Sequence, residues 1–243
     1  MRKVIITGAS SGIGKAIAKT FSERGWASLL IARNEKRLKQ LASKLKNCEI
    51  LVCDLSDPQA IENNRDQILW TPVDALINNA GIFRPQMVDQ DTDTTWEQHF
   101  QSNLMSAVRM NRVCWDSLQK QKGCVLNISS TLGIRPVANT SSYSALKAAM
   151  NNWTLGLAIE GAPLGLRANA ICPGIVDTPI HSYIGSEDAE DKKTYAAMQK
   201  AQPLGRTGKP QDIAATAYHL CQPEAEWMTG SIINIDGGIL LNS

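Results

Sequence analysis

The chain has 243 residues, of which 43% are hydrophobic and 20% charged, a balance typical of a globular α/β domain and not of a disordered or fibrous chain. Its 25 basic and 23 acidic residues leave a net charge of +2, so we expect no nucleic-acid partner. The longest nearly apolar run, Trp26–Ala32, has the length of a strand, so we expect neither a membrane partner nor a secretory leader.

Seven short apolar segments predict seven strands. They are Val4–Thr7, Ala27–Ala32, Glu49–Cys53, Ala75–Asn78, Cys124–Ser129, Arg167–Cys172 and Ser231–Ile235. Apolar residues at helical spacing predict the intervening helices. These are Ile13–Arg24, Glu35–Leu45, Thr95–Gln119, Ser142–Glu160 and one that begins at Pro210. Alternating strands and helices pair the strands in parallel, so we predict a single doubly wound α/β domain over residues 1–243. Its mostly parallel sheet is covered on both faces.

The segment from His181 to Pro203 breaks this pattern. It is polar and charged, and Gly185 and Pro203 interrupt it. Connecting segments of this kind lie on the surface and often carry function. We therefore expect a mobile lid over the substrate at about residues 181–203.

The cysteines and histidines show no metal-binding pattern. The six cysteines stand at positions 48, 53, 114, 124, 172 and 221 without a CxxC pair, and the three histidines are far from them. Most of these cysteines lie in apolar segments, where a free thiol behaves as a small hydrophobic group. We expect buried thiols, a reducing cytoplasmic compartment and no metal.

A glycine-rich turn follows the first strand. Residues Gly8–Gly14 read GASSGIG and run directly into the first helix. A strand, a glycine turn and a helix N-terminus together present backbone N–H groups to a pyrophosphate. The nucleoside-triphosphate pattern GxxxxGKS/T fails, because Ala9 and Ala16 occupy its first glycine and its hydroxyl positions. The turn therefore favours a dinucleotide.

Tyr143 and Lys147 are four residues apart on a predicted helix, which places both side chains on one face. An ammonium group beside a phenol stabilises the phenolate, so we expect Lys147 to lower the pKa of Tyr143 into the range of a general acid and base. Ser129 and Ser130 end the fifth strand, at the edge where an open α/β sheet builds its site. A hydroxyl there can hydrogen-bond a substrate oxygen.

Taken together, several motifs resemble the short-chain dehydrogenase/reductase family in its compact one-domain branch. They are Thr7–Gly14, Asn78–Gly81, Asn103, Ser130, Tyr143 with Lys147, and Pro173–Thr178. The match runs from Val4 to Gly238 in the family's order. The resemblance implies a Rossmann fold and an NAD(P)-dependent oxidoreductase that interconverts a carbonyl and a secondary alcohol by hydride transfer.

The resemblance also implies roles for single residues. Tyr143 is the implied general acid/base, Lys147 lowers its pKa and holds the nicotinamide ribose, Ser130 orients the substrate oxygen, and Asn103 supports a water-mediated proton relay. The cofactor-binding residues, besides Tyr143 and Lys147, are Gly8, Ser10, Ser11, Gly12, Ile13, Gly14, Arg33, Asp54, Leu55, Asn79, Ala80, Gly81, Pro173, Gly174, Val176 and Thr178. Structural alternatives stay open for three residues: Asp54 as a turn or cap carboxylate, and Asn78 and Asn79 as amides that join neighbouring strands.

The end of the second strand bears on the choice of dinucleotide. A site for NAD usually carries Asp or Glu about 20 residues past the turn, where it accepts a hydrogen bond from the ribose 2′-OH. Here residues 30–34 read LIARN, so Ala32 leaves space and Arg33 offers donors suited to a 2′-phosphate. Ser10 and Ser11 stand where some NADP-preferring relatives have a second basic residue, which weakens the case. We predict NADP (NADPH) over NAD.

Two other functions remain open at this point. A dinucleotide-binding regulator needs only the binding half of the site, and the intact Asn103, Ser130, Tyr143 and Lys147 set argues against it. A sugar-nucleotide epimerase shares the YxxxK pair, but 243 residues leave little room for its added substrate domain.

The partner is a small-molecule carbonyl or alcohol whose identity the sequence does not fix. Candidate pocket walls are Phe83, Arg84, Leu132, Ile134, Arg135, Ile175, His181, Tyr183 and Met198. The resemblance further implies a homotetramer or homodimer built on the helices around Thr95–Gln119 and Ser142–Glu160. Trp96, Leu104, Trp115 and Trp153 give these helices more apolar surface than one face against a sheet requires.

Overall fold

Seven parallel strands form one sheet in a computed structural model, which describes residues 1–181 and 188–242. The strands are β1 (Lys3–Thr7), β2 (Ala27–Ala32), β3 (Cys48–Val52), β4 (Ala75–Asn78), β5 (Cys124–Ile128), β6 (Arg167–Pro173) and β7 (Ile232–Ile235). The predicted strands are confirmed to within one residue at each end. All pairings between these strands are parallel, so the sheet is more regular than the mostly parallel one predicted.

Helices connect the strands. The described residues form α1 (Gly12–Glu23), α2 (Glu35–Ala42), α3 (Pro58–Asn63), α4 (Arg65–Ile68), α5 (Asp93–His99), α6 (Ser106–Lys120), α7 (Ser141–Gly161), α8 (Ala189–Lys200) and α9 (Pro210–Leu220). The sequence did not predict α3, α4 or α8, although the Asp57 cap before Pro58 is a start signal for α3. The predicted helix over residues 95–119 is interrupted by a π-helix, Phe100–Met105, between α5 and α6. No helix of the described residues is both long and apolar enough to cross a membrane.

The sheet buries side chains on both faces. The neighbours Ile5 and Ile6 of β1 are both fully buried, yet they belong to different core clusters, because successive side chains of a strand point to opposite faces. The Ile6 cluster includes Phe21 of α1 and Ile213 of α9, and the Ile5 cluster includes Met110 of α6. The structure is therefore a single Rossmann-like domain with a three-layer core.

The strand order is β3-β2-β1-β4-β5-β6-β7. Chain direction across the sheet reverses between β1 and β4, since the connections run outward in opposite directions from this pair. In open α/β sheets a ligand binds at such a reversal, outside the carboxyl ends of the strands. The fold thus brings the ends of β1, β4, β5 and β6 to one crevice.

Candidate active site

A cleft of about 1020 Å³ opens at the carboxyl ends of the strands. Nearly all predicted cofactor-binding residues line it, together with Ser130, Tyr143 and Lys147. Gly14 and Asn103 do not. Gly14 is buried in the first turn of α1, and Asn103 is fully buried behind the lining residues. Most of the site residues predicted from the sequence therefore lie together in one cleft.

The glycine turn has the shape that close approach to a pyrophosphate requires. Gly8 and Gly12 have φ values of +64° and +51°, in the left-handed region that glycine tolerates. A Cβ on Gly14 would lie 2.5 Å from the Gly8 carbonyl oxygen. The turn leads straight into the N-terminus of α1, where backbone N–H groups are available to an anion. These residues fit a dinucleotide.

Hydrogen bonds tie the end of β1 to the end of β4. The Thr7 hydroxyl accepts from the backbone N–H groups of Asn79 (2.9 Å) and Ala80 (3.0 Å). The Asn79 amide donates to the carbonyls of Thr7 (2.9 Å) and Gly8 (3.2 Å). Both donors of the Asn79 side-chain amide therefore hold the glycine turn.

Asn78 plays the structural role that the sequence left open. Its amide Nδ2 donates to Oδ1 of Asn127 at 2.9 Å, which joins β4 to β5. Asn127 Nδ2 in turn donates to the Thr154 hydroxyl of α7 at 2.9 Å. Both asparagines are buried, so this chain of bonds fixes α7 over the sheet.

Tyr143, Lys147 and Ser130 meet in the cleft. Tyr143 and Lys147 lie on the first turns of α7, and the Lys147 Nζ is 5.7 Å from the centre of the Tyr143 ring. The Nζ donates to the Ile128 carbonyl at 2.9 Å, which leaves two more N–H donors. The Ser130 hydroxyl accepts from the Leu132 N–H at 3.1 Å, so its own proton is left to donate. The Ser129 hydroxyl donates to the Lys147 carbonyl at 3.2 Å, in agreement with a structural role.

Asn103 lies in the π-helix between α5 and α6. Its Oδ1 accepts from the Ile82 N–H at 2.7 Å and its Nδ2 donates to the Ile82 carbonyl at 3.0 Å. A Cβ on Gly81 would be 2.8 Å from this Oδ1 and 3.9 Å from Lys147 Nζ. Gly81 therefore lies between the side chains of Asn103 and Lys147. Single π-turns inside helices are frequent at functional sites, and the apolar periodicity of the sequence gave no sign of this one.

The pKa of Tyr143 differs from the sequence-based expectation. Burial raises it to about 12, although a hydrogen bond with Ser130 acts in the opposite direction. Burial also lowers the pKa of Lys147 to about 8. The prediction that the pKa of Tyr143 is lowered is wrong for this structure, because burial of the phenol is the largest effect on it. At neutral pH Tyr143 is therefore a protonated phenol.

The far end of the cleft carries two arginines. Arg33 follows β2, and its NH1 lies 3.6 Å from Oδ2 of Asp54, with both side chains partly exposed. Asp54 Oδ1 also accepts from the N–H (3.0 Å) and hydroxyl (2.7 Å) of Ser56. Burial acts to raise the pKa of Asp54, but the Ser56 bonds and the charge of Arg33 lower it overall. Asp54 thus has both the predicted place in the cleft and the alternative role in a turn.

Arg37 is a second basic residue at this end of the cleft, and it was not predicted from the sequence. It lines the cleft near Arg33, four residues further along and one turn into α2. Asn34 caps this helix by accepting from the Arg37 N–H at 2.9 Å. Arg33 precedes α2 and Arg37 lies within it, so helical spacing does not relate the two, and only the fold places both at the cleft.

The substrate end is bounded by residues from several segments. Phe83, Arg84, Leu132, Ile175, His181 and Met198 line the cleft as predicted. Ile134 and Arg135 do not, because both are exposed outside it. Tyr183 lies outside the described residues, as does the part of the expected lid from 182 to 187. The rest of the expected lid contains α8, whose Tyr195 hydroxyl donates to the Asp177 carboxylate at 3.0 Å.

Comparisons with known proteins cover almost the whole chain. Residues 8–240 match the protein family described as Enoyl-(Acyl carrier protein) reductase. Protein FixR of Bradyrhizobium diazoefficiens is 34% identical over 247 residues, which cover 97% of this chain and 85% of FixR. The 3-oxoacyl-(acyl-carrier-protein) reductase FabG of Salmonella typhimurium is 31% identical over 241 residues, which cover 98% of this chain and 96% of FabG.

A solved structure gives the same result. A variant of actinorhodin polyketide ketoreductase with NADPH has a TM-score of 0.91 and 27% sequence identity, covering 98% of this chain and 97% of that chain. The family match over residues 8–240 includes the glycine turn, the Tyr143 and Lys147 pair and the segment after β6.

Proposed function

Since this chain belongs to the short-chain dehydrogenase/reductase family of NAD(P)-dependent oxidoreductases, which interconvert carbonyl and alcohol groups, we propose that it reduces a small ketone with NADPH and that Tyr143 donates the proton. The observation that carries this proposal is the meeting of Tyr143, Ser130 and Lys147 in a cleft whose other end is the glycine turn.

The proposed chemistry divides between cofactor and protein. The hydride would come from NADPH held in this cleft. Tyr143, a protonated phenol at neutral pH, donates its proton to the substrate oxygen, and the Ser130 hydroxyl, which hydrogen-bonds Tyr143 in this structure, turns to the same oxygen when substrate binds. Lys147 has N–H donors left for a ribose hydroxyl, and Asn103 lies within reach of a relay that returns a proton to Lys147.

The preference for NADPH over NADH rests on charge. Residues 30–34 contain no carboxylate that would accept from a ribose 2′-OH, and Arg33 and Arg37 both line this end of the cleft. The Asp54 carboxylate beside Arg33 is exposed enough that the ion pair is weak, so a 2′-phosphate can compete for the guanidinium. Some NADP-preferring relatives have a second basic residue in the glycine turn, where this chain has Ser10 and Ser11. Here Arg37 supplies that second positive charge. The NADPH found with the ketoreductase structure agrees with this preference.

The site residues argue against the two alternative functions. A regulator that only binds dinucleotide has no need of the Ser130 and Tyr143 hydroxyls at the opposite end of the cleft. An epimerase would carry an added substrate domain, whereas the relatives FixR and FabG match this chain over nearly its whole length.

The described substrate end is largely apolar, with Arg84 as its charged member, which suits an uncharged or anionic small molecule. We further propose that α8 belongs to a lid over this end, since Met198 reaches the cleft from it and Tyr195 ties it to Asp177 beside the implied nicotinamide contacts.

Assembly and compartment are also proposals. Trp96 is 40% exposed on α5 and Ile159 is 75% exposed on α7, and Trp115 and Trp153 are only partly buried. This apolar surface supports a homodimer or homotetramer built on these helices. The six cysteines are free thiols, which supports a reducing cytoplasmic compartment.

The decisive experiment profiles the purified chain against ketones, keto-sugars, 3-oxoacyl thioesters and enoyl thioesters, with loss of reduced nicotinamide as the signal. Tyr143→Phe serves as the matched control, because it removes only the phenolic oxygen. We expect turnover of at least one ketone class by the wild type and none by the variant, with NADPH bound equally by both. A wild type that binds NADPH but turns over no carbonyl would favour the regulator.

A further inference from the structure

His99 is a fully buried histidine that joins three segments around the proposed active site. It is the last residue of α5, directly before the π-helix that contains Asn103. Its Nδ1 lies 2.9 Å from the Ser142 hydroxyl, in the first turn of α7. Its Nε2 accepts from the Arg84 N–H at 3.2 Å, in the segment after β4.

These two bonds assign the protonation state of the imidazole. A backbone N–H can only donate, so Nε2 carries a lone pair and the ring proton is assigned to Nδ1, which donates to Ser142. Burial lowers the pKa of His99; the nearby Asp91 acts to raise it, and Arg84 and Lys147 act to lower it. His99 is therefore a neutral imidazole with both nitrogens engaged.

The ring of His99 also contacts the proposed proton donor. Its centre is 5.9 Å from that of the Tyr143 ring, with the planes at 70°. Phe83 meets the Tyr143 ring in a second edge contact at 4.9 Å and 75°. Because Phe83 precedes Arg84, the residue whose N–H bonds to His99, the imidazole also fixes the segment that presents this wall of the cleft. Tyr143 thus packs against His99 itself and against Phe83, whose segment the Nε2 bond holds.

We propose that His99 is a positioning residue: its Nδ1–H sets the first turn of α7 and so the Tyr143 hydroxyl, and its Nε2 sets the Phe83 wall against the substrate. The inference rests on the proposed role of Tyr143. His99 itself is not among the residues that line the cleft, so it acts through its neighbours. The two nitrogens therefore have separable effects, one on the chemical step and one on substrate binding.

Two substitutions separate them. In His99→Asn the shorter amide reaches the Nδ1 position, keeps the bond to Ser142 and leaves the Arg84 N–H unpaired, so we expect KM to rise about tenfold with kcat nearly unchanged. In His99→Gln the longer amide reaches the Nε2 position and keeps the Arg84 bond, so we expect kcat to fall about tenfold with KM nearly unchanged. Small misplacements of reacting groups have effects of this size or larger.

Ser142→Ala is the second test, because it removes the partner of Nδ1 without changing the imidazole. It should reproduce the fall in kcat, and it decides the matter if the His99 variants do not fold. Leu118→Ala changes a fully buried residue of a different helix, α6, and is the control for lost stability: we expect a lower melting temperature with wild-type kcat and KM.

Wild-type kcat and KM in folded His99→Gln, His99→Asn and Ser142→Ala would overturn the proposal, as would equal effects on kcat and KM in all three. Tyr143→Phe measured alongside keeps the two levels apart. If it retains activity, the proposed function fails. If it is inactive while the His99 and Ser142 variants are normal, only the positioning role fails.

Discussion

Replacing Arg33 with alanine tests which dinucleotide the site prefers. A hydrogen bond to a charged partner contributes about 1.5–3 kcal/mol when it is shielded from water. The Arg33 side chain is 64% exposed, so we discount this to about 1–2 kcal/mol. Loss of the ion pair with Asp54 changes little, since exposed pairs contribute about 0–1 kcal/mol. We therefore expect kcat/KM with NADPH to fall about 5- to 30-fold, while the NADH value stays within about twofold.

The assay compares initial rates with both cofactors at one ketone concentration and at two ionic strengths. Lys36→Ala is the matched control, because it removes the same charge from an exposed residue of α2 that does not line the cleft. Arg37→Ala should lower the NADPH value in the same direction. The difference between cofactors should shrink at high salt, where exposed charges are screened.

Three results would refute this reasoning. The wild type could use NADH as well as NADPH, Arg33→Ala could impair both cofactors equally, or Lys36→Ala could lower the NADPH value as much as Arg33→Ala. The last result would mean that the general positive potential, and not a contact at the 2′-phosphate, selects the cofactor.

Four further predictions follow from the same site and its surroundings. Tyr143→Phe should lower kcat more than a hundredfold and leave the Kd for NADPH within about twofold; activity within tenfold of wild type would exclude the proposed acid. Gly14→Ala should weaken dinucleotide binding and cost about 1–3 kcal/mol of stability through overlap with the Gly8 carbonyl, whereas Gly156→Ala, with open space around it, should be neutral or stabilising. Between pH 8 and 10.5 the unfolded chain holds the Lys147 proton and the folded chain does not, so this group makes unfolding free energy rise with pH; the slope measured in denaturant should be smaller in Lys147→Met. Sedimentation at micromolar concentration should give a dimer or tetramer, and Ile159→Glu should shift it toward monomer; a monomeric wild type would contradict the assembly proposed.

The strands and the glycine turn were predictable because local patterns determine them. β2 is buried at all six positions, and its continuous apolar run is the signature of a strand covered on both faces. The glycines of the turn are required by the backbone itself, through positive φ at Gly8 and Gly12 and the contact at Gly14. Features of this kind depend on residues that are close in sequence.

The remaining features depend on contacts between distant segments. The π-helix at residues 100–105 lies inside the stretch Thr95–Gln119 that apolar spacing predicted as one continuous helix. His99 looks like any polar residue of a helix, and only the fold places it against Arg84 and Ser142. The pKa of Tyr143 was predicted with the wrong sign, because spacing shows which groups are near each other but not how deeply they are buried or where Lys147 directs its protons.

The buried ammonium of Lys147 lowers the stability of the fold, so its presence needs another explanation. A pKa of about 8 in place of 10.5 means that the folded chain holds this charge less favourably than water does, by about 3 kcal/mol. A single hydrogen bond, to the Ile128 carbonyl, partly offsets that cost, and an apolar side chain at this position of α7 would fill the space without it. A buried charge with donors to spare, next to a buried phenol and at the edge of a dinucleotide-sized cleft, is therefore best understood as a group retained for its contacts with cofactor and proton donor.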